Sequence, residues 1–163
     1  SRIKGIKVLG VFLTHSHIDH IYGLDMLYHD LVLDPPCLYF SEQCLKGLLD
    51  SKVNGSYYMS QPYVHNPRKY EIIYEGTILS LFHDLYQLEV LETPGHSDDS
   101  ITFILEKYLF TGDSFIPGEK IHTRSKSANK LDANKSMIRI KAIENVIICP
   151  GHGAILNNNR ILI

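Results

Sequence analysis

The sequence predicts an α/β protein, on three observations. Short apolar runs rich in β-branched and aromatic residues alternate with segments of helical periodicity. Several of those runs end in a turn that carries histidine or aspartate, usually beside glycine. The composition, 44% apolar and 21% charged over 163 residues, is that of a globular chain able to bury a core, and the length fits one domain, 1–163.

Taken in order, Val8-Leu9-Gly10-Val11-Phe12-Leu13-Thr14 predicts a strand over 7–14 that runs into His15-Ser16-His17-Ile18-Asp19-His20. A short helix is expected near 23–31, from Gly23-Leu24-Asp25-Met26-Leu27-Tyr28. Pro35-Pro36 introduces a strand at 37–40, and Ser41 is placed to cap a helix over 42–50. Residues 51–68 mix glycine, serine, asparagine and proline with tyrosine and read as a loop. Strands follow at 70–75, 77–82, 86–92, 100–106 and 107–111. After a loop over 114–131, Met137, Ile138, Ile140, Ala142 and Ile143 mark the apolar side of a helix over 132–144. A last strand, from Asn145-Val146-Ile147-Ile148, leads into Cys149-Pro150-Gly151-His152-Gly153.

The chemistry is concentrated where strands stop. Side chains two apart on an extended chain share a face, so His15 and His17 can address one point while the chain bends to bring Asp19 and His20 to a second. Thr93-Pro94-Gly95-His96-Ser97, Phe110-Thr111-Gly112-Asp113 and the His152 turn each add one histidine or aspartate at a strand end. Imidazole nitrogens with carboxylate oxygens suit zinc and other borderline first-row metals, whereas calcium or magnesium would call for oxygen alone. Seven such residues exceed what one ion needs, so two neighbouring divalent cations are expected. Zinc is the first choice, with iron or manganese accepted by the same donors.

Through T-H-S-H-I-D-H, T-P-G-H-S, F-T-G-D and P-G-H-G, the chain resembles the metallo-β-lactamase fold hydrolases over residues 14–152. The resemblance implies a four-layer αβ/βα sandwich. It also implies that His15, His17 and His96 hold one metal, that Asp19, His20 and His152 hold the other, and that Asp113 bridges the two. Aspartate in the bridging place resembles the glyoxalase II branch; many true β-lactamases carry cysteine there. Several strands usually precede the first histidine motif in such domains, whereas here that motif begins at residue 15. The expectation is therefore a sandwich lacking its amino-terminal strands, with a free sheet edge or open core face that a second copy of the chain covers by pairing or swapping.

Two cations ~3.5–4 Å apart lower the pKa of a shared water and polarise a carbonyl or phosphoryl oxygen, so hydrolysis by a bridging hydroxide is the expected reaction. Asp19 and Asp113 are the carboxylates expected to take part in catalysis, Asp19 by orienting the hydroxide. Asp98, Asp99, Thr14, Ser97 and Ser114 are candidates for fixing the imidazoles. Substrate contacts are sought in the two long loops, at Tyr57, Tyr58, Tyr63 and His65 in one and at Lys120, His122, Arg124 and Lys126 in the other. His29 and His83 read as ordinary polar residues. The leading substrate is a small ester, thioester or amide. A phosphodiesterase or nuclease is the alternative enzyme, and a metal-binding but inactive fragment is the alternative of another class. The iron-containing, flavin-linked relatives are set aside, because they carry glutamate where His17 stands.

A formal net charge of −2 shows no overall basic surface, which disfavours nucleic acid as a partner. No stretch approaches the ~20 apolar residues of a membrane span, and Ser1-Arg2-Ile3-Lys4-Gly5 does not read as a secretion signal. Cys37, Cys44 and Cys149 are odd in number and lack C-x-x-C spacing, so reduced thiols in a cytoplasmic protein are expected. Cys149 is read as a packing residue.

Overall fold

Period-two alternation in the strands builds two sheets with an apolar layer on each side. In the computed structural model, which describes residues 7–30, 35–157 and 160–162, Gly10–Phe12 (β1), Cys37–Phe40 (β2) and Tyr70–Ile72 (β3) form a parallel sheet in the order β1-β2-β3. The helices between these strands are the single turn Ile18–Ile21 (α1), Leu24–Asp30 (α2) and Glu42–Leu49 (α3). Val11, Leu38, Phe40 and Ile72 pack with Ile21, Leu24, Tyr28, Cys44 and Leu48 from these helices. Phe12 and Tyr39, on alternate positions, turn the other way to join Leu88, Val90, Ile101 and Phe103. There Phe12 stacks on Tyr39 at 4.7 Å between ring centroids and meets Phe103 edge-on at 5.5 Å.

The second sheet is wider. Its strands are Ile78–Leu81 (β4), Tyr86–Glu92 (β5), Ile101–Leu105 (β6), Tyr108–Gly112 (β7), Ile147–Pro150 (β8), Ile155–Asn157 (β9) and Arg160–Leu162 (β10). They lie in the order β10-β9-β8-β7-β6-β5-β4, antiparallel except for the β7–β8 pair. That parallel pair needs a crossover, supplied by Lys130–Lys141 (α4). Met137 and Ile140 of α4 close the outer face of the sheet over Leu109, Ile148 and Ile104. Helices, sheet, sheet and helix give the four-layer αβ/βα order expected from the sequence.

Three described strands in one sheet face seven in the other. Phe12, Leu81 and Leu105 remain only partly buried, Phe110 is 38% exposed, and these residues with Leu88, Phe103 and Cys149 line a cavity of about 440 Å³ between the sheets. The three cysteines are free thiols.

Several boundaries differ from expectation for local reasons. The helix expected over 132–144 starts at Lys130, because the Asn129 side chain accepts from the Leu131 and Asp132 amides, and it stops at Lys141. The last strand begins at Ile147 because Asn145 takes a left-handed turn with φ 58°. The first strand is confined to 10–12, a 3₁₀ turn occupies Ser56–Tyr58 within the expected loop, and β9, β10 and α1 were not expected. The amino-terminal residues Ser1–Gly5 and the expected helix end at 31 lie outside the described residues.

One helical glycine governs how closely the first histidine loop approaches α3. A Cβ on Gly47 would stand 1.8 Å from Ser16 Oγ and 2.4 Å from Ser16 Cβ, and Ser16 is buried. Gly47→Ala gains helix propensity but forces that contact apart, so it is expected to cost about 1–3 kcal/mol overall. Thermal melting checks this, and adding Ser16→Gly should recover part of the loss.

Candidate metal centre

Four turns meet at one rim of the sandwich, each held by backbone bonds to another. The Ile101 amide of β6 donates to the Thr14 carbonyl at 2.8 Å, tying the two sheets together one residue before His15. The Gly151 amide donates to the Gly112 carbonyl at 2.8 Å, which joins the His152 turn to the Asp113 turn. A register shift between Phe110 and Gly112 interrupts β7 just before Asp113 and re-aims the chain there. α1 carries Asp19 and His20, and its one turn is closed by the Tyr22 amide donating to the Ile18 carbonyl.

These constraints bring all seven expected side chains together. Ligand-type atoms of His15, His17 and His96 lie within 4.8 Å of one another, as do those of His15, His20 and Asp113, and those of Asp19, His20 and His152. Nδ1 of His17 is 2.8 Å from Nε2 of His96, and Nε2 of His152 is 2.9 Å from Oδ2 of Asp19. Asp113 reaches both the group that contains His96 and the group that contains His152. Its Oδ1 is 3.4 Å from His20 Nε2, and its Oδ2 is 3.6 Å from His96 Nε2 and 3.7 Å from His152 Nε2.

The two ends differ in access to water. His15 is 1% exposed and His96 6%, whereas the Asp19 and His152 side chains are about half exposed, at 53% and 49%. Burial, followed by the neighbouring histidines His20, His17, His96 and His152, holds His15 well below the usual imidazole range. Burial and then His17 likewise lower His96. Burial alone would raise Asp113, but the nearby His20, with His96 and His152, outweighs it and leaves the carboxyl lowered.

The donor set fits cations. His15 Nε2, His20 Nε2 and Asp113 Oδ1 are buried without a hydrogen-bond partner, an arrangement that is costly unless something positive draws on their lone pairs. A Cβ on Gly151 would come within 2.5 Å of His20 Cε1 and 2.6 Å of Asp113 Oδ1, so only glycine keeps that space open.

Around the cluster, His96 Nδ1 is 2.9 Å from the His122 carbonyl, Ser125 Oγ donates to the His96 carbonyl at 3.2 Å, and Thr14 Oγ1 is 3.2 Å from His15 Nδ1. His122 thus enters through its backbone, a contact its side-chain chemistry gave no reason to expect. Ser114 bonds Thr93 and Ser97 bonds Ser100, so both brace the turns, while Asp98 is exposed. Of the loop residues, Tyr57, Tyr58, Lys120, His122, Arg124 and Lys126 are exposed. Tyr63 and His65 are taken into the interior: Tyr63 packs among Leu13, Ile21 and Leu48, and His65 Nδ1 lies 2.8 Å from Asp25 Oδ1. Both are buried by packing needs that composition did not separate from a pocket wall. Cys149 lines the cavity between the sheets, and burial raises its thiol.

An αβ/βα sandwich with clustered histidines and aspartates at its rim defines a class of metal-binding hydrolase scaffold. The chain belongs to the metallo-beta-lactamase superfamily, whose profile matches residues 1–152. It is 28% identical over 159 residues to the probable metallo-hydrolase YqgX of Bacillus subtilis, covering 96% of this chain and 70% of that protein. It is 30% identical over 108 residues to a hydroxyacylglutathione hydrolase of Psychromonas ingrahamii, covering 66% of this chain and 33% of that enzyme. The chain therefore spans only a third of that hydrolase's length. In fold it is similar to the BLEG-1 B3 metallo-beta-lactamase, with a TM-score of 0.80 at 23% identity over 91% of this chain and 71% of that one. It is also similar to TTHA1623 in a di-iron-bound form, with a TM-score of 0.77 at 22% identity over 95% and 75% of the two chains.

Gly151→Ala is expected to lower bound metal, measured by elemental analysis after reconstitution, while far-UV circular dichroism stays that of the parent chain.

Proposed function

We propose that this chain is a metal-dependent hydrolase that cleaves a small ester or thioester at a two-cation centre. The observation that carries this reading is the set of buried, unpartnered donor atoms on His15, His20 and Asp113, set between an inner and an outer group of ligands. His15, His17 and His96 would hold the inner cation, Asp19, His20 and His152 the outer one, and Asp113 would serve both. Zinc suits the donors, and iron or manganese is accepted by the same set. When bound, such a pair acidifies a water toward neutral pH and polarises the substrate carbonyl.

The chain's own groups prepare that chemistry. With its Nδ1 proton donated to the His122 carbonyl, His96 turns an unprotonated Nε2 inward, and Thr14 Oγ1 can hold His15 in the same tautomer. The lowered pKa of His15 and of His96 keeps both rings neutral, the form a ligand requires. Asp113 stays ionised and offsets part of the cationic charge. Substrate approaches on the Asp19–His152 side, where the cluster meets solvent, and Asp19 orients the attacking water. The exposed Tyr57, Tyr58, Lys120, His122 and Arg124 are the side chains assigned to contact it.

A thioester is favoured over a phosphodiester by the name of the hydroxyacylglutathione hydrolase relative and by the near-neutral overall charge. Among the described residues no helix is long and apolar enough to cross a membrane, and the free cysteines suit a reducing cytoplasm. His15→Ala and His96→Ala are expected to abolish turnover of an acyl thioester and to lower metal content, whereas Asp113→Ala lowers occupancy at both positions. A protein that cleaves bis-p-nitrophenyl phosphate and leaves thioesters intact would displace this reading. So would full metal content in Asp113→Ala.

Among the described residues β1 is a sheet edge, and we assign it to pairing with a second copy of the chain. Leu9, 60% exposed beside that strand, is the position at which a charge should interfere. Sedimentation velocity is expected to show association that Leu9→Lys weakens, and a monomer at every concentration would refute the pairing.

A further inference from the structure

Asp99 is 3% exposed. Its Oδ2 accepts from the Ser16 amide at 2.7 Å. That amide belongs to the peptide joining His15 to Ser16, and Asp99 itself stands three residues after His96. One side chain therefore connects the two turns that supply the three members of the inner group. Ser41 Oγ, at the start of α3, donates to the Asp99 carbonyl at 2.7 Å and fixes the residue from the other side. Within α3, burial and then the neighbouring Asp99 push the Cys44 thiol well up, so it stays protonated beside the carboxylate. Asp99 Oδ1 has no hydrogen-bond partner.

We infer that Asp99 is a positioning residue for the metal centre: its hydrogen bond to the Ser16 amide sets the separation between the His15–His17 pair and His96, and so the affinity of the inner group for its cation. This inference rests on the metal-centre reading above. The physical case is one of cost. The buried carboxylate accepts from a backbone amide that lies between two ligands, and an apolar side chain in its place would leave that amide unpaired just where the spacing of the histidines is set. Charge-assisted bonds to a backbone N–H are short and roughly twice as strong as neutral ones. Ser16 is confined on its other side by α3 at Gly47, so the loop has contact partners on two sides and little freedom to re-space its histidines.

Cobalt(II) titration of metal-free protein, followed by visible absorption, tests this without any assay of turnover. The parent chain is expected to bind cobalt with a defined visible spectrum. Asp99→Ala, still folded by circular dichroism, is expected to bind about 10- to 100-fold more weakly with an altered spectrum. Asp99→Asn retains an oxygen acceptor for the Ser16 amide and is expected to stay within about threefold of the parent. Should Asp99→Ala fail to fold, Asp99→Ser reads the same loss, since its hydroxyl is too short to span to Ser16. Parent-like affinity and spectrum in a folded Asp99→Ala or Asp99→Ser overturn the inference, as does a loss in Asp99→Asn equal to that in Asp99→Ala. If the parent chain binds no cobalt, the metal-centre reading falls and this inference with it.

Discussion

Desolvation of ligand atoms is the constraint on which the rest of the structure depends. Burying imidazole nitrogens and a carboxylate oxygen without hydrogen bonds costs free energy that a fold does not normally tolerate. The chain tolerates it at His15, His20 and Asp113 because four separate turns hold those atoms in one place. The sheets are therefore more than a container. β1, β6, β7 and β8 bring the turns to the same rim, and the bonds from Ile101 to Thr14 and from Gly151 to Gly112 fix their relative heights.

Precision at the rim is obtained from unlike sources. A register shift in β7 re-aims Asp113, a glycine in the His152 turn leaves space for the Asp113 carboxylate, and a backbone carbonyl at residue 122 selects the tautomer of His96. Each acts on one ligand through its neighbour in space. Loops are the usual home of functional groups because a rigid scaffold leaves them free to vary, and here the scaffold also limits them, with α3 pressed against Ser16 and α4 starting at the Asn129 cap just after the His96-bracing loop.

Much of this was legible in the sequence because its signals are local. His15-Ser16-His17-Ile18-Asp19-His20 places four ligand-type residues within six positions, and the Gly95-His96, Gly112-Asp113 and Gly151-His152 pairs sit at strand ends that hydrophobic patterning identifies. The strands of the first sheet and most of the second follow the same alternation. Features that depend on tertiary contact were not legible. The Asn129 cap looks like any loop asparagine, β9 and β10 are three-residue strands that exist only by pairing with β8 and with each other, and Tyr63 and His65 carry the composition of a pocket wall while being packed inside. Asp99 is adjacent in sequence to the exposed Asp98, and nothing in the pair Asp98-Asp99 reveals which one is buried against Ser16.

The unequal wetting of the two ligand groups has a consequence for how such a protein lives with a fluctuating supply of ions. On the two-cation reading, an ion among His15, His17 and His96 would be held behind the more buried imidazoles, while one among Asp19, His20 and His152 would exchange with the surrounding medium past the half-exposed Asp19 and His152. Scarcity would then empty the outer position first and spare the inner one, so that the centre would lose its ions by degrees rather than all at once.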